Sequence, residues 1–411
     1  MTVTEKLLNC LRRNPGEEEL SSVRRYDAAD WQQIMAAAER QGVVPLLYHR
    51  LESRREELAI PGDMMEEMRR RYYVAAARNM RLYHELQRIL GLLTARGVPV
   101  IALKGAHLAD AVYGNIALRP MSDVDLLVSE DDLKQAEACL VEAGAQPVEL
   151  NRVITAKRAH FGYIMADSGL RVEIHWRLFP SGYACKIDHR GIWGRAQLLR
   201  LAQAEVLALA PEDLLIHVCV HAAKHVPNTS IRMLYDIMQI TNSLEGQLDW
   251  HVLSTRTRQW GTTRAVYALL RLARELLGAA VCEEHLEALR PAELDEQKFR
   301  LIQQHMLGID DDDRGRGAWE PGAQWRRARG LRGKILWLLH QAIPSRSEMA
   351  LEYPASADSW RILLYYPVRL KHLVFKHGRT TWAMARGDVS TRIATERRGE
   401  LLSLRDWLIS S

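Results

Sequence analysis

The stretch Arg119-Pro-Met-Ser-Asp-Val-Asp-Leu-Leu-Val128 places two acids, one residue apart, at the head of an apolar run. Val124, Leu126, Leu127 and Val128 read as a buried strand, on which alternate side chains share a face. Asp123 and Asp125 therefore point the same way. Two carboxylates held together in an apolar setting repel each other unless a cation lies between them. Hard oxygen ligands on a rigid element suit Mg²⁺, which is commonly held by one or two carboxylates together with substrate phosphates. The chemistry this pattern predicts is metal-assisted phosphoryl transfer, although an Asp-x-Asp on a solvated strand end is also compatible with the spacing.

A second segment, Arg171-Val-Glu-Ile-His-Trp176, alternates in the same manner. Arg171, Glu173 and His175 share one face, and Val172, Ile174 and Trp176 the other. If this strand lies beside the first, Glu173 joins Asp123 and Asp125 in a three-carboxylate cradle suited to two ions. If not, the polar face is the wet side of an antiparallel sheet. Upstream, Val98-Pro-Val-Ile-Ala-Leu103 reads as a strand ended by Lys104-Gly105, and Ala106 to Tyr113 reads as a helix closed by Gly114-Asn115. A strand that turns at glycine into a helix favours phosphate binding, and Lys104 would add a point charge. An ordinary turn is the plainer alternative, since the Walker A spacing is absent.

Leu103-Lys104-Gly105, Tyr113, Arg119, Ser122-Asp-Val-Asp-Leu-Leu-Val128 and Val172-Glu-Ile-His-Trp176 together resemble the uncharacterised nucleotidyltransferase family of bacteria, within the polymerase-β-like superfamily. The likeness continues through Glu212 to His217, His221 to His225 and Ile231 to Asp236, covering roughly residues 30–290. It implies that Asp123 and Asp125 bind the catalytic metals and that Glu173 is the third carboxylate. It also implies that Lys104, Gly105, Arg119 and Ser122 lie near the triphosphate. His175, His221, Arg232 and Asp236 become supporting or substrate-positioning candidates; an ion pair between Arg232 and Asp236, four apart on a helix, is the structural alternative. Two departures stand out: Lys104-Gly105 replaces the superfamily's usual Gly-Ser pair, as in a toxin-like branch, and the third acid is Glu rather than Asp.

The implied reaction moves an NMP from an NTP, such as ATP, to a hydroxyl and releases pyrophosphate. The expected cofactor is Mg²⁺, as two ions, with Mn²⁺ as a substitute. Expected partners are an NTP and a small-molecule, peptide or protein acceptor. The alternatives are a toxin-like enzyme acting on RNA (tRNA) ends and a non-catalytic nucleotide-binding module.

The elements that must position these residues give an α+β fold: a small mixed nucleotidyltransferase-type sheet flanked by helical N- and C-terminal regions. Residues 1–95 read as helical, with a helix opening at Asp30-Trp31 and a long amphipathic one from Met64 to Arg96 that bears Met68, Tyr72, Leu82, Leu86, Ile89, Leu90 and Leu93 on one stripe. Residues 96–210 form the catalytic core, with a helix over Asp131–Ala143 after a Ser129 N-cap and antiparallel strands over Val148–Val153 and Gly162–Ala166. Residues 211–308 form a helical domain closing the cleft, opened by Pro211-Glu-Asp. Its His217, His221 and His225 share a helix face, and without a His-Glu-x-x-His pattern they suit packing or cleft lining better than zinc.

Residues 309–411 form a basic, Trp-rich helical region, with 18 Lys/Arg against 8 Asp/Glu from Arg314 onward within a chain of net charge +5. Its Trp319, Trp325, Trp337, Trp360, Trp382 and Trp407 are expected in the core with Arg on the wet face, base stacking being the alternative. The acidic run at 310–317 reads as a solvated linker. Helices are expected over Leu331–Ile343 and Trp360–His377, the latter kinked by Pro367, before a polar tail from Arg386. Five scattered cysteines without Cys-x-x-Cys pairs point away from zinc and disulfide frameworks. With no signal-peptide pattern and no apolar run of membrane-spanning length, a soluble cytoplasmic protein is expected.

Overall fold

The computed structural model describes residues 1–148, 158–180, 185–226, 228–308, 343–353, 355, 358–373 and 389–410. The expected strand over 148–153, the charged break at 310–317 and the helix over 331–343 lie outside these residues, apart from Val148 and Ile343 at their margins. The chain divides into two compact units, Met1–Gln146 with Ala156–Asp311 and Trp407–Ser411, and Pro147–Thr155 with Asp312–Asp406.

The first unit is α+β, with one seven-stranded mixed sheet in the order β3-β4-β5-β2-β1-β7-β6. The strands are β1 (Ile101–Ala102), β2 (Asp123–Leu127), β3 (Ala145–Pro147), β4 (His160–Met165), β5 (Arg171–His175), β6 (Gln197–Leu201) and β7 (Ala204–Ala208). β2 runs parallel to β5 and antiparallel to β1, and β4 runs antiparallel to β5. The strand expected over Val98–Leu103 is only two ladder residues long. Pro99 has no N–H to give at its start, and the chain turns off at Lys104. Pairing still reaches from the Val100 carbonyl, which accepts from Leu207, to the Leu103 N–H, which donates to Asp125.

One face of this sheet is the core. Val124, Leu126, Phe161, Tyr163, Val172, Ile174 and Trp176 point into it. Two helices cover them: α5 (Gly62–Ala95) through Leu82, Leu86, Ile89, Leu90 and Leu93, and α7 (Leu133–Glu142) through Ala136, Cys139 and Leu140. Period-two alternation on the strands thus meets the helical stripe of α5. Leu86 and Ile89 are fully buried, and truncating either to Ala would cost about 2–5 kcal/mol. Before α5 lie α1 (Val3–Leu11), α2 (Glu17–Val23), α3 (Ala28–Gln41) and α4 (Val44–Glu52), with capping boxes Thr2/Glu5 on α1 and Asp27/Asp30 on α3.

The hairpin β6–β7 was not expected. Gln197 to Ala208 is rich in Leu and Ala, a helix-favouring composition, and its turn is Ala202-Gln203, both at positive φ (50° and 61°). The usual Asn-Gly signal of such a turn is missing, and pairing of β7 with β1 overrides propensity. The short helix α8 (His189–Arg195) precedes it, and after it come α9 (Pro211–Lys224), α10 (Ile231–Ser243), α11 (Trp250–Trp260) and α12 (Thr263–Leu277). α9 packs against α10, α11 and α12.

In the second unit, Met349, Ala350, Tyr353, Ala355 and Ile362 form a small core. Trp360–Leu364 is a 3₁₀ turn and the α-helix begins at Tyr365, so Pro367 sits in a first turn, where it is tolerated, and does not kink the middle. Trp360 is 66% exposed, against its expected place in a core. Trp319, Trp325, Trp337 and Trp382 lie outside the described residues. The expected polar tail includes a 21-residue helix, Val389–Ile409. Among the described residues no helix is long and apolar enough to cross a membrane. All five cysteines are free thiols.

His107 gives the fold a pH dependence. It is buried in the short helix α6 (Lys104–His107), where loss of hydration pushes its imidazole down to about 4. In the unfolded chain an imidazole titrates near ~6.5, so acid favours the unfolded chain, which takes up the proton first. Stability present above about pH 6.5 is lost as pH falls toward 4, by about 3 kcal/mol in full. Thermal unfolding followed from pH 7 to pH 4 should show His107→Leu losing less stability than the parent; equal slopes would contradict a buried neutral imidazole.

Candidate active site

β2 and β5 pair in parallel with Asp123 opposite Arg171 and Asp125 opposite Glu173. Because both strands send alternate residues to the core, Asp123, Asp125, Glu173 and His175 all fall on the opposite face. β4 adds His160, opposite His175 in the antiparallel ladder. The three acids expected to converge do share one face of neighbouring strands.

Their charges are not equally compensated. Asp125 is buried, and its Oδ2 lies 3.2 Å from Lys104 Nζ while its Oδ1 lies 2.9 Å from His175 Nε2. Burial alone would raise the Asp125 carboxyl, but Lys104 and then His175 outweigh it and hold it well below the usual range. Burial also opposes ionisation of Glu173, yet its contacts with His175 and His160 keep it below normal. The Glu173 Oε1 takes a bond from Arg171 Nε at 3.0 Å. Burial lowers the His175 imidazole, while Asp125 and Glu173 raise it further than burial depresses it. Asp123 is left over: among the described residues its side chain accepts only from the Ser122 hydroxyl, at 3.2 Å, and burial followed by the charges of Asp125 and Glu173 pushes it up. An acid raised by its neighbours is where a bound cation would relieve most repulsion.

The turn at Lys104-Gly105 is tightly built. Lys104 adopts φ of 24°, a conformation side chains disfavour, and from it the ammonium reaches Asp125. A Cβ on Gly105 would stand 3.2 Å from Met121 Sδ and 3.3 Å from Arg119 Nη1, so the residue is glycine for close approach. The helix expected after it is only four residues of α-helix and then a π-helical turn over Leu108–Val112.

Arg119 is buried and clamps Asp236 of α10 with two parallel bonds, Nε to Oδ1 at 2.8 Å and Nη2 to Oδ2 at 2.9 Å. Tyr113 donates to the same Oδ1 at 2.7 Å. Asp236 therefore pairs with Arg119, not with Arg232. Arg232 instead donates from Nη1 to the Pro120 carbonyl at 2.9 Å, closing the other side of the loop that leads to Asp123.

From α9, His217 and His221 feel the charges of Lys104 and Asp125, and burial holds both imidazoles well below normal. Burial and then Lys104 also depress Lys224, one turn from His221, which Glu173 favours in the opposite sense. His217, His221 and His225 form a row, with ring centroids 6.3 and 4.5 Å apart. Three further residues escaped sequence reasoning. Asn79 of α5 is fully buried, donating to the Arg119 carbonyl at 2.8 Å and accepting from Met121 N–H at 3.3 Å. Tyr83 donates to the Ala106 carbonyl. His160 sits 3.4 Å from Glu173 Oε2. A polar Asn inside the apolar stripe of α5 was the available signal for the first.

The model of the uncharacterised nucleotidyltransferase family matches residues 27–278. The chain belongs to this family, and is a nucleotidyltransferase. No curated protein matches it significantly in sequence. Among solved structures, a solution structure of the antibiotic-resistance factor ANT(2'')-Ia is similar at 15% identity, over 44% of this chain and 92% of that one, with a TM-score of 0.33. A crystal structure of ANT(2'')-Ia with adenylyl-2''-tobramycin is similar at 15% identity, over 43% and 97%, also with a TM-score of 0.33.

The buried Arg119–Asp236 pair makes a stability prediction. Asp236→Ala strands the guanidinium and the Tyr113 hydroxyl without their acceptor, at about 3–5 kcal/mol. Asp236→Asn, which keeps an acceptor and loses the charge, should fall between. Denaturant unfolding of the three proteins gives the order, and an unchanged midpoint for Asp236→Ala would contradict it.

Proposed function

We propose that this nucleotidyltransferase uses Mg²⁺, held by Asp123, Asp125 and Glu173, to move an NMP from an NTP to a hydroxyl of a small-molecule, peptide or protein acceptor. The observation that carries the reading is the shared face of the three carboxylates, with Asp123 raised by its neighbours. That donor set fits a hard divalent cation. A bound ion there would supply neutralising charge to the phosphates and the leaving pyrophosphate.

The protein's own groups position and balance the rest. Lys104 brings a positive charge to the acids, and the Arg119 nitrogen that Asp236 does not take, Nη1, faces Gly105. Both are suited to β- and γ-phosphate oxygens that follow the same turn, with Ser122 at its edge. Glu173 is kept ionised by His175 and His160, which leaves it in the proton-accepting form. In the transfer the acceptor oxygen forms a bond to the α-phosphorus, its proton passes to Glu173, and the α–β bridging bond breaks with its electron pair leaving on pyrophosphate. His221 and His175 stand beside this centre as positioning groups, with Arg232 and Asp236 holding the loop before Asp123.

Asp123→Asn and Asp125→Asn should each lower transfer by at least ~100-fold, as loss of a metal-site group does, while circular dichroism stays native. The assay is release of pyrophosphate and transfer of α-labelled NTP in Mg²⁺ with cell extract and total RNA. Label in metabolite or peptide supports the proposal, label in RNA moves the acceptor to tRNA-like ends, and nucleotide-induced melting shifts without any label describe a binding module. Full activity in either variant would end the carboxylate reading.

A further inference from the structure

The second unit exposes apolar side chains in a pattern. Ile362, Tyr365 and Tyr366 pack onto the small core of Met349, Ala350, Tyr353 and Ala355. Trp360, Leu363, Leu364 and Val368 are exposed instead, Trp360 at 66% and Leu364 at 59%. Their positions follow the i, i+3, i+4, i+8 spacing of one helical face, and Leu370, also exposed, falls seven residues after Leu363. The segment is thus apolar on two sides, 3₁₀ from Trp360 to Leu364 and α-helical from Tyr365 onward. A helix that is apolar all round is normally buried all round, so the outward stripe calls for a partner surface.

We propose that this stripe docks on an anionic lipid surface, lying in the plane of the interface. Charge and shape favour that occupant. Residues 358–373 hold Arg361, Arg369 and Lys371 against one acid, Asp358, and the sequence goes on with Lys376 and Arg379. Arg361, Lys371 and His372 are exposed along with the stripe. A convex apolar ridge edged by cations fits a bilayer, which needs no matching cleft. The leucines and the valine enter the acyl boundary while the cations stay among the headgroup phosphates. Trp360, at the head of the stripe, suits that boundary with an apolar ring and an N–H for the polar side. The docking is peripheral, since among the described residues no helix is long and apolar enough to cross a membrane.

The stripe uses none of the residues of the proposed nucleotidyl-transfer centre, so either reading can fail alone. The test is co-sedimentation of the full chain with phosphatidylcholine vesicles containing one third phosphatidylglycerol, and with vesicles of phosphatidylcholine alone. The parent should bind the anionic vesicles and leave the neutral ones, and added salt should weaken the binding. Leu363→Gln combined with Leu364→Gln should weaken it at least ~10-fold, through two lost apolar insertions. Lys371→Gln should weaken it about fivefold. Circular dichroism of each variant must match the parent; Trp360→Ser serves if the double variant misfolds. A parent that stays in the supernatant, binds neutral vesicles equally well, or binds no better than the leucine variants would overturn the proposal. Self-association that those variants abolish, without vesicle binding, would give the stripe to a second copy of the chain and equally end the lipid reading.

Discussion

Placing three carboxylates on one sheet face is the constraint around which the rest of this unit is organised. The parallel register of β2 with β5 sets Asp125 opposite Glu173, with Asp123 one pleat away. A one-residue slip would send these acids into the core and bring Val124 and Val172 to the surface. The apolar face prevents that slip. Val124, Leu126, Val172 and Ile174 are fully buried under α5 and α7, so the hydrophobic contact that holds the fold also fixes which way the acids point. Fold stability and site geometry are one interaction viewed from two faces.

The same helix works at both ends of the site. α5 is 34 residues long, about 50 Å of straight helix, and carries its apolar stripe along the sheet. Where the stripe reaches the loops, it carries Asn79 and Tyr83 instead of aliphatic residues. Their bonds to Arg119, Met121 and Ala106 satisfy backbone groups that no ladder takes up. Asp236 then ties the Arg119 loop to α10. The Lys104 turn and the Ser122–Asp125 entry are therefore held from beneath by one helix and from the side by another.

Much of this was legible in residue order, and for a physical reason. Period-two alternation in 123–128 and 171–176 reports a buried face directly, so the acids' common direction was readable, as was the length of α5. What the sequence could not display was pairing between distant segments. Arg232 and Asp236 suggest an ion pair by spacing alone, but the stronger partner, Arg119, lies over a hundred residues away and reaches Asp236 with two bonds. His160 reads as an unremarkable residue until β4 is laid against β5. The hairpin β6–β7 hid behind helix-favouring Leu and Ala with no glycine in its turn, a case of tertiary pairing overriding local preference.

The electrostatics of the face follow from depth. Asp125, deepest of the acids, is neutralised internally by Lys104 and His175, because a buried charge without partners would be too costly to keep. Glu173 is served by Arg171 and two imidazoles at the flank. Asp123, less buried and at the head of its strand, has no ion-pair partner of its own among the described residues and is destabilised as an anion by the other two. Compensation therefore runs out toward the mouth of the site. A face built this way holds its inner acids ionised and in place without help, and leaves its largest unmet demand for positive charge at its outer end, around Asp123.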